Sequence, residues 1–87
     1  MTFATLPPAV RDIAARELTV KQREAWELEL QGLGVRKIAA RLDITKGAAS
    51  DRLEAAYLKL RKAGVRQDEL GKWSVEREEV LWRTNLG

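Results

Sequence analysis

The sequence predicts a small all-α domain with a tri- to tetrahelical core and a short C-terminal extension. Apolar residues recur at helical spacing in four successive stretches of the chain. Residues that start or stop helices separate these stretches, among them Pro7, Thr19 and Gly32. Since 87 residues suffice for one domain, we expect a helical domain over residues 1–64. Residues 65–87 would form an extension that packs on the domain or oligomerises.

The first two helices have clear start signals. Pro7 and Pro8 suit the first turn of a helix, where an N–H is not needed, and this pattern runs to about Glu17. Thr19 and Gln22 have capping-box spacing, so a second helix is expected from there to about residue 31, where Gly32 ends it. The apolar positions of the two helices are Val10, Ile13 and Ala14, then Ala25, Trp26, Leu30 and Leu33. We interpret the tryptophan among them as a core anchor rather than a base-stacking platform.

Residues 34–62 contain two helical patterns that meet at a three-residue turn. The first begins near Gly34 and ends near Leu42, and the second runs from Lys46 to about Ala63. This is the helix-turn-helix layout, in which the second helix enters the major groove of DNA. The layout therefore predicts double-stranded DNA as the partner and a recognition helix over about residues 46–63.

The helical period predicts which residues of the recognition helix are buried and which face DNA. The expected buried stripe consists of Ala49, Leu53, Ala56, Tyr57 and Leu60. The residues expected to face the groove are Lys46, Gly47, Ser50, Asp51 and Glu54, with Arg52 at the edge. Lys46 suits guanine and Asp51 suits a cytosine amine. Arg36, Lys37 and Thr45, at the helix starts, are candidate phosphate contacts.

Composition and charge narrow the class of function. The chain has neither cysteine nor histidine, which excludes disulfides, thiolate metal sites and histidine-based triads. We therefore expect no enzyme, no metal and no cofactor. The net charge is +3, and residues 18–64 hold ten basic and six acidic side chains, as a nucleic-acid-binding surface would. No apolar run approaches the roughly 18 residues of a membrane span, and no signal-peptide pattern is visible, so we expect a cytoplasmic protein.

The extension is less clearly patterned. Residues Val65–Leu70 suggest a short turn of helix, and Ser74–Arg83 suggests a helix capped by its serine, with a strand over Glu79–Trp82 as the alternative. The extension also carries Trp73 and Trp82. We expect these two side chains to fold back on the helices, and contact with a second subunit in a homodimer is the alternative.

The stretch from Leu18 to about Lys62 resembles the helix-turn-helix of LuxR-type response regulators and of region four in bacterial sigma factors. The shared positions are Leu18-Thr19, Arg23-Glu24, Gly32, Ile38-Ala39, Leu42, Ile44-Thr45 and Ala49. The segment Asp51-Arg52-Leu53 is closer to the sigma version. The resemblance implies a stand-alone bacterial or phage regulator of transcription, in which Arg52 contacts base or phosphate.

Two other functions stay open. Asp51 and Glu54 place negative charge on the side expected to face DNA, which favours a protein-interaction module that binds RNA polymerase or a sigma factor. A weaker alternative is a phage terminase small subunit, whose DNA-binding part can also begin with Leu-Thr and Lys-Gln, as residues 18–22 do here.

Overall fold

The longest helix of the protein is the element on which the others pack. The computed structural model describes residues 5–76, in four helices and two strands. These are α1 (Pro8–Glu17), α2 (Val20–Leu30), α3 (Val35–Leu42), α4 (Lys46–Lys62), β1 (Val65–Gln67) and β2 (Trp73–Val75). Helices α1, α2 and α3 and strand β1 all contact α4. The predicted all-α class is confirmed, with one small antiparallel hairpin added after α4.

The predicted start and stop signals operate at the helix ends. Pro8 lies in the first turn of α1. The Thr19 hydroxyl accepts a hydrogen bond from the backbone N–H of Gln22, and the Gln22 side chain accepts one from the backbone N–H of Thr19, both at 3.1 Å. Gly32 follows α2 at φ +97°, a left-handed conformation that glycine adopts readily. Because these bonds are local, the sequence predicts the ends of α1 and α2 to within about a residue.

The core consists of two clusters, one against each half of α4. The N-terminal half of α4 belongs to the α3 cluster, formed by Ala25, Ile38, Ala39, Ala49 and Leu53. The C-terminal half belongs to the α1 cluster, formed by Leu6, Val10, Ile13, Ala14, Leu18, Trp26, Ala56, Leu60 and Val65. Adjacent residues of α2 thus enter different clusters, so that α2 connects the two halves of the core.

One predicted core position on α4 is wrong. The helical period places Tyr57 on the buried stripe, but its side chain is 40% exposed. The buried positions of α4 are Ala49, Leu53, Ala56 and Leu60, at spacings of four, three and four. Tyr57 lies about 100° around the helix from Ala56 and about 40° from Leu53. It is thus at the edge of this stripe, where its ring reaches the surface.

The extension begins as a hairpin and not as the predicted turn of helix. Val65 pairs with Val75 and Gln67 with Trp73, so the predictions of helix over Val65–Leu70 and of Ser74 as a helix cap are wrong. The cause is turn chemistry between the strands. The Asp68 carboxylate accepts hydrogen bonds from the backbone N–H groups of Leu70 and Lys72, both at 2.9 Å. Gly71 supplies a positive φ of 82°, which closes the turn.

The hairpin packs the side chain of Trp73 against the helical core. Its ring packs edge-on to Trp26, with ring centroids 5.9 Å apart and an interplanar angle of 89°, an arrangement that aromatic pairs favour. The expectation that Trp73 folds back is confirmed. Trp82, the remainder of Ser74–Arg83 and the alternative strand at Glu79–Trp82 lie outside the described residues. Within residues 5–76, no helix is both long enough and apolar enough to cross a membrane.

Candidate nucleic-acid interface

The corner between α3 and α4 is held by backbone hydrogen bonds. Asp43 adopts a left-handed conformation, φ 56° and ψ 49°. The N–H of Ile44 donates to the carbonyl of Ala39 at 2.9 Å, and the N–H of Asp43 donates to the carbonyl of Ala40 at 3.3 Å. This pair of bonds is the Schellman arrangement that ends helices, usually with glycine at the left-handed position. A short aspartate tolerates that conformation, so the chain reverses without a glycine.

Thr45 caps the start of α4. Its hydroxyl oxygen accepts a hydrogen bond from the backbone N–H of Ala48 at 3.1 Å. Because that hydroxyl acts as the acceptor, its own hydrogen remains available for an external oxygen such as that of a phosphate. Thr45 is exposed, which makes the cap and an external contact compatible.

Small side chains allow the helices of this corner to approach closely. Ala25 of α2 and Ala49 of α4 are completely buried, and Ala39 of α3 is nearly so. Ile38 and Leu53 fill the space around these alanines. A closely packed interior holds side chains in fixed positions, and the exposed face of α4 is therefore presented at a fixed angle to α3.

The predicted groove-facing residues of α4 are at the surface. Those that are exposed are Lys46, Gly47, Ser50, Asp51 and Glu54, and Arg52 is half-buried. An added Cβ at Gly47 would meet no atom within 4 Å, so the backbone there can be approached closely from outside. The exposed N-terminal half of α4 thus combines cationic, acidic, hydroxyl and bare backbone surface.

Helix α3 adds a second group of cations beside this face. Arg36 and Lys37, the predicted phosphate contacts, are exposed. Arg41 is exposed as well, and sequence reasoning did not select it. Its spacing of four residues from Lys37 was the available signal, because residues four apart share one side of a helix.

An open cavity of about 610 Å³ lies along this side of α3. The residues around it are Gln31, Gly32, Leu33, Lys37, Ala40 and Arg41. The two charged residues around the cavity, Lys37 and Arg41, are both cations, so the cavity suits an anion better than a cation. Because it is lined by residues of α3 and of the segment that follows α2, the cavity extends the basic side of α3 toward the end of α2.

Among residues 5–76, the cations of the corner take part in no ion pair. The described part of the chain contains three ion pairs, which are Arg16–Glu17, Arg23–Glu27 and Arg66–Glu76. Arg36, Lys37, Arg41, Lys46 and Arg52 take part in none of them. These five side chains therefore make the exposed surface of the corner basic, whereas Asp51 and Glu54, also unpaired among residues 5–76, reduce the positive potential around them.

The chain matches no protein-family model, no curated protein and no solved structure. What it binds has therefore to be inferred from its own residues.

Proposed function

We propose that the protein binds double-stranded DNA as a helix-turn-helix module and regulates transcription, with α4 as the recognition helix. The observation that carries this proposal is the set of cations on the α3–α4 corner that pair with no acidic side chain within residues 5–76. Electrostatic attraction to phosphates supplies much of the affinity of DNA-binding proteins. A fixed α3–α4 corner also holds α4 in one orientation relative to the duplex, which recognition of a base sequence requires. This function is compatible with a cytoplasmic regulator of bacterial or phage origin.

The residues divide into two roles at this interface. Arg36, Lys37 and Arg41 of α3, with Thr45 at the turn, would contact phosphates and set the position of α4. Lys46, Ser50, Asp51 and Arg52 would meet base edges, with lysine and arginine suited to guanine and aspartate to a cytosine amine. Gly47 would let the α4 backbone approach the duplex, and Glu54 would exclude phosphates from its side of the groove.

The test is a selection of bound fragments from random duplex DNA, followed by fluorescence anisotropy on the selected sequence. Lys46→Ala with Arg52→Ala should lower specific affinity at least about 30-fold, because each base contact is worth about 1–3 kcal/mol. Circular dichroism should show unchanged helicity. The matched control is Lys21→Ala with Lys72→Ala, which removes two charges from exposed positions outside the corner.

Salt dependence tests whether contacts with phosphates contribute to the affinity. Affinity should fall with rising salt, and loss of one phosphate contact such as Lys37 should reduce the logarithmic slope by about 0.9. Wild-type binding without any salt dependence would refute DNA recognition, as would equal losses of affinity in the corner variant and in its control.

A second candidate function has one observation in its favour. Asp51 and Glu54 are both exposed on the face of α4 that would meet DNA, and carboxylates there repel phosphates. A basic surface of RNA polymerase or of a sigma factor would instead be attracted to them. The double variant Asp51→Asn with Glu54→Gln distinguishes DNA binding from protein binding. The double variant should raise the nonspecific affinity for DNA if α4 meets DNA. It should weaken binding to purified RNA polymerase if α4 meets protein.

A further inference from the structure

A cleft lies between the β1–β2 hairpin and helices α2 and α4. Two adjoining cavities of about 360 Å³ and 300 Å³ form it. Both are lined by Tyr57, Gln67 and Trp73, so these three side chains mark the centre of the cleft. Trp26 and Leu30 line the larger cavity. The cleft is thus an aromatic and apolar depression well apart in sequence from the α3–α4 turn.

Apolar side chains remain uncovered at this cleft. Leu70, at the tip of the hairpin, is 93% exposed although it borders the larger cavity. Tyr57 at the centre is also exposed. A single exposed leucine is ordinary, but a protruding leucine beside an aromatic depression forms a contiguous patch, and such patches mark interaction surfaces.

The two ends of the cleft carry opposite charges. Glu29 lines the larger cavity, at the same end as Leu70, whereas Arg61 and Arg66 line the smaller one. Arg66 is engaged by Glu76 at 3.6 Å. Glu29 and Arg61 form no ion pair with any described residue. Partial burial raises the pKa of the Glu29 carboxyl above its ordinary value, as expected for a carboxylate without a cationic partner.

We propose that this cleft is a self-association surface and that its occupant is a second copy of the chain. A two-fold axis through the centre of the cleft would place the same patch on both sides of the contact. Half a turn about that axis lays the acidic end of one copy on the basic end of the other. Glu29 of each copy then faces Arg61 of the other, so that one dimer contains two such pairs.

The same rotation places the protruding leucine over a cavity. Leu70 of one copy comes to lie above the smaller cavity of the other, whose walls include Leu60 and Val65. The side chain of Leu70 is removed from water there. The symmetric contact also removes Leu70 of the other copy from water. Burying a leucine side chain stabilises an interface, so the two symmetric contacts are a substantial part of what a weak dimer needs.

Charge complementarity favours a second copy over an unrelated partner. A uniformly acidic partner would be repelled at Glu29, and a uniformly basic one at Arg61. A patch with opposite charges at its ends, and with both a protrusion and a cavity, complements itself under a two-fold rotation. The inference does not depend on DNA binding, although a dimer would present two recognition helices to one duplex.

Sedimentation without DNA tests the proposal, over protein concentrations up to about 1 mM, where weak association becomes measurable. The wild-type mass should rise from 9.8 kDa toward twice that value. Leu70→Lys should remain monomeric throughout, because it would place a cation beside Arg61 and Arg66 at the partner's smaller cavity. The matched control is Val20→Lys, which changes an aliphatic residue that is 64% exposed on α2 and lies outside the cleft. It should associate as the wild type does.

Charge reversal tests the geometry of the contact. Glu29→Lys and Arg61→Glu should each weaken dimerisation about tenfold or more, because each creates two like-charge contacts. An equimolar mixture of the two variants should restore it. In the mixed dimer the introduced lysine of one copy faces the introduced glutamate of the other, and the remaining Arg61 faces the remaining Glu29. Circular dichroism of each variant checks that it is folded.

Three results would overturn the proposal. A wild-type protein that stays at 9.8 kDa at every concentration would exclude a second copy as occupant and leave the cleft to another partner. Association of Leu70→Lys equal to that of the Val20→Lys control would place the contact elsewhere. Failure of the mixed charge variants to associate would reject the two-fold pairing. None of these measurements involves DNA, so failure of the DNA-binding proposal is recognised separately.

Discussion

Gly64, between α4 and the hairpin, provides a sharp test of how the extension is held. It adopts φ +93°, and its carbonyl accepts a hydrogen bond from the backbone N–H of Glu76 at 2.7 Å. A Cβ at this position would overlap the carbonyl oxygen of Glu76. Gly64→Ala should therefore strain the backbone and also push the end of β2 away from the helices.

The matched control is Gly32→Ala, which isolates the cost of backbone strain. Gly32 has nearly the same φ, +97°, but an added Cβ there would meet no atom within 4 Å. Alanine in a left-handed conformation costs about 1–2 kcal/mol, and both variants should lose that amount. The entropy that each variant removes from the unfolded chain is similar and cancels in the comparison.

Gly64→Ala should lose more, because the hairpin must move. Loss of the Gly64–Glu76 hydrogen bond adds about 0.5–1.5 kcal/mol, and partial exposure of Val65 and Trp73 adds to it. The difference between the two variants should be at least about 1 kcal/mol, or a further fall of about 4–8 °C in Tm. Urea unfolding followed by circular dichroism and tryptophan fluorescence measures it. Equal destabilisation of the two variants would refute the close contact with Glu76.

Three further perturbations test other features of the structure. Gly47→Ala should stabilise the fold by up to about 1 kcal/mol and still weaken DNA binding in anisotropy; unchanged binding would mean that the backbone there does not approach DNA. Trp73→Phe should destabilise the protein much less than Trp73→Ala in urea unfolding, because phenylalanine keeps an aromatic contact with Trp26. Phenylalanine also removes an indole N–H that has no acceptor among residues 5–76. Equal losses of stability in the two variants would contradict this. Glu29→Gln should be more stable than the wild type at pH 7. The two proteins should be equally stable below pH 4.5, the ordinary pKa of the group, in thermal unfolding of dilute protein at a series of pH values. A stability difference that stays constant with pH would exclude ionisation of Glu29 as its cause.

The sign of the Glu29 effect follows from its raised pKa. The folded state binds the proton more tightly than the unfolded state, so ionisation disfavours folding. The cost is absent at low pH and develops as the pH rises through the raised pKa. Glutamine removes the charge at every pH, and its advantage should therefore appear only where the wild-type carboxyl is ionised.

Much of the helical part of the protein is predictable because its signals are local. Thr19 and Thr45 cap helices through hydrogen bonds to residues three positions on, and Gly32 ends α2 by its own conformation. The stripe that includes Ala49 and Leu53 follows from the helical period alone. Lys46 and its neighbours are predicted to be exposed because they lie on the face of α4 opposite that buried stripe.

The candidate interface is predictable only in part. The positions expected to face a partner could be selected from the sequence, but Arg41 was missed, because its availability depends on which acidic side chains fold near it. Whether Asp51 would be neutralised by a neighbouring cation was likewise open. Only the folded chain shows that neither residue pairs with another described residue.

The sequence by itself determined the four helices, their ends and most of their buried faces, because hydrogen bonds and side-chain spacing within a few residues specify them. The tertiary structure alone decided the hairpin, the contact of Trp73 with Trp26 and the cleft beside Leu70. Two strands of three residues are too short to show a period, and their pairing joins residues up to ten apart. Such contacts depend on which surfaces the helices leave uncovered, and that is settled only when the chain has folded.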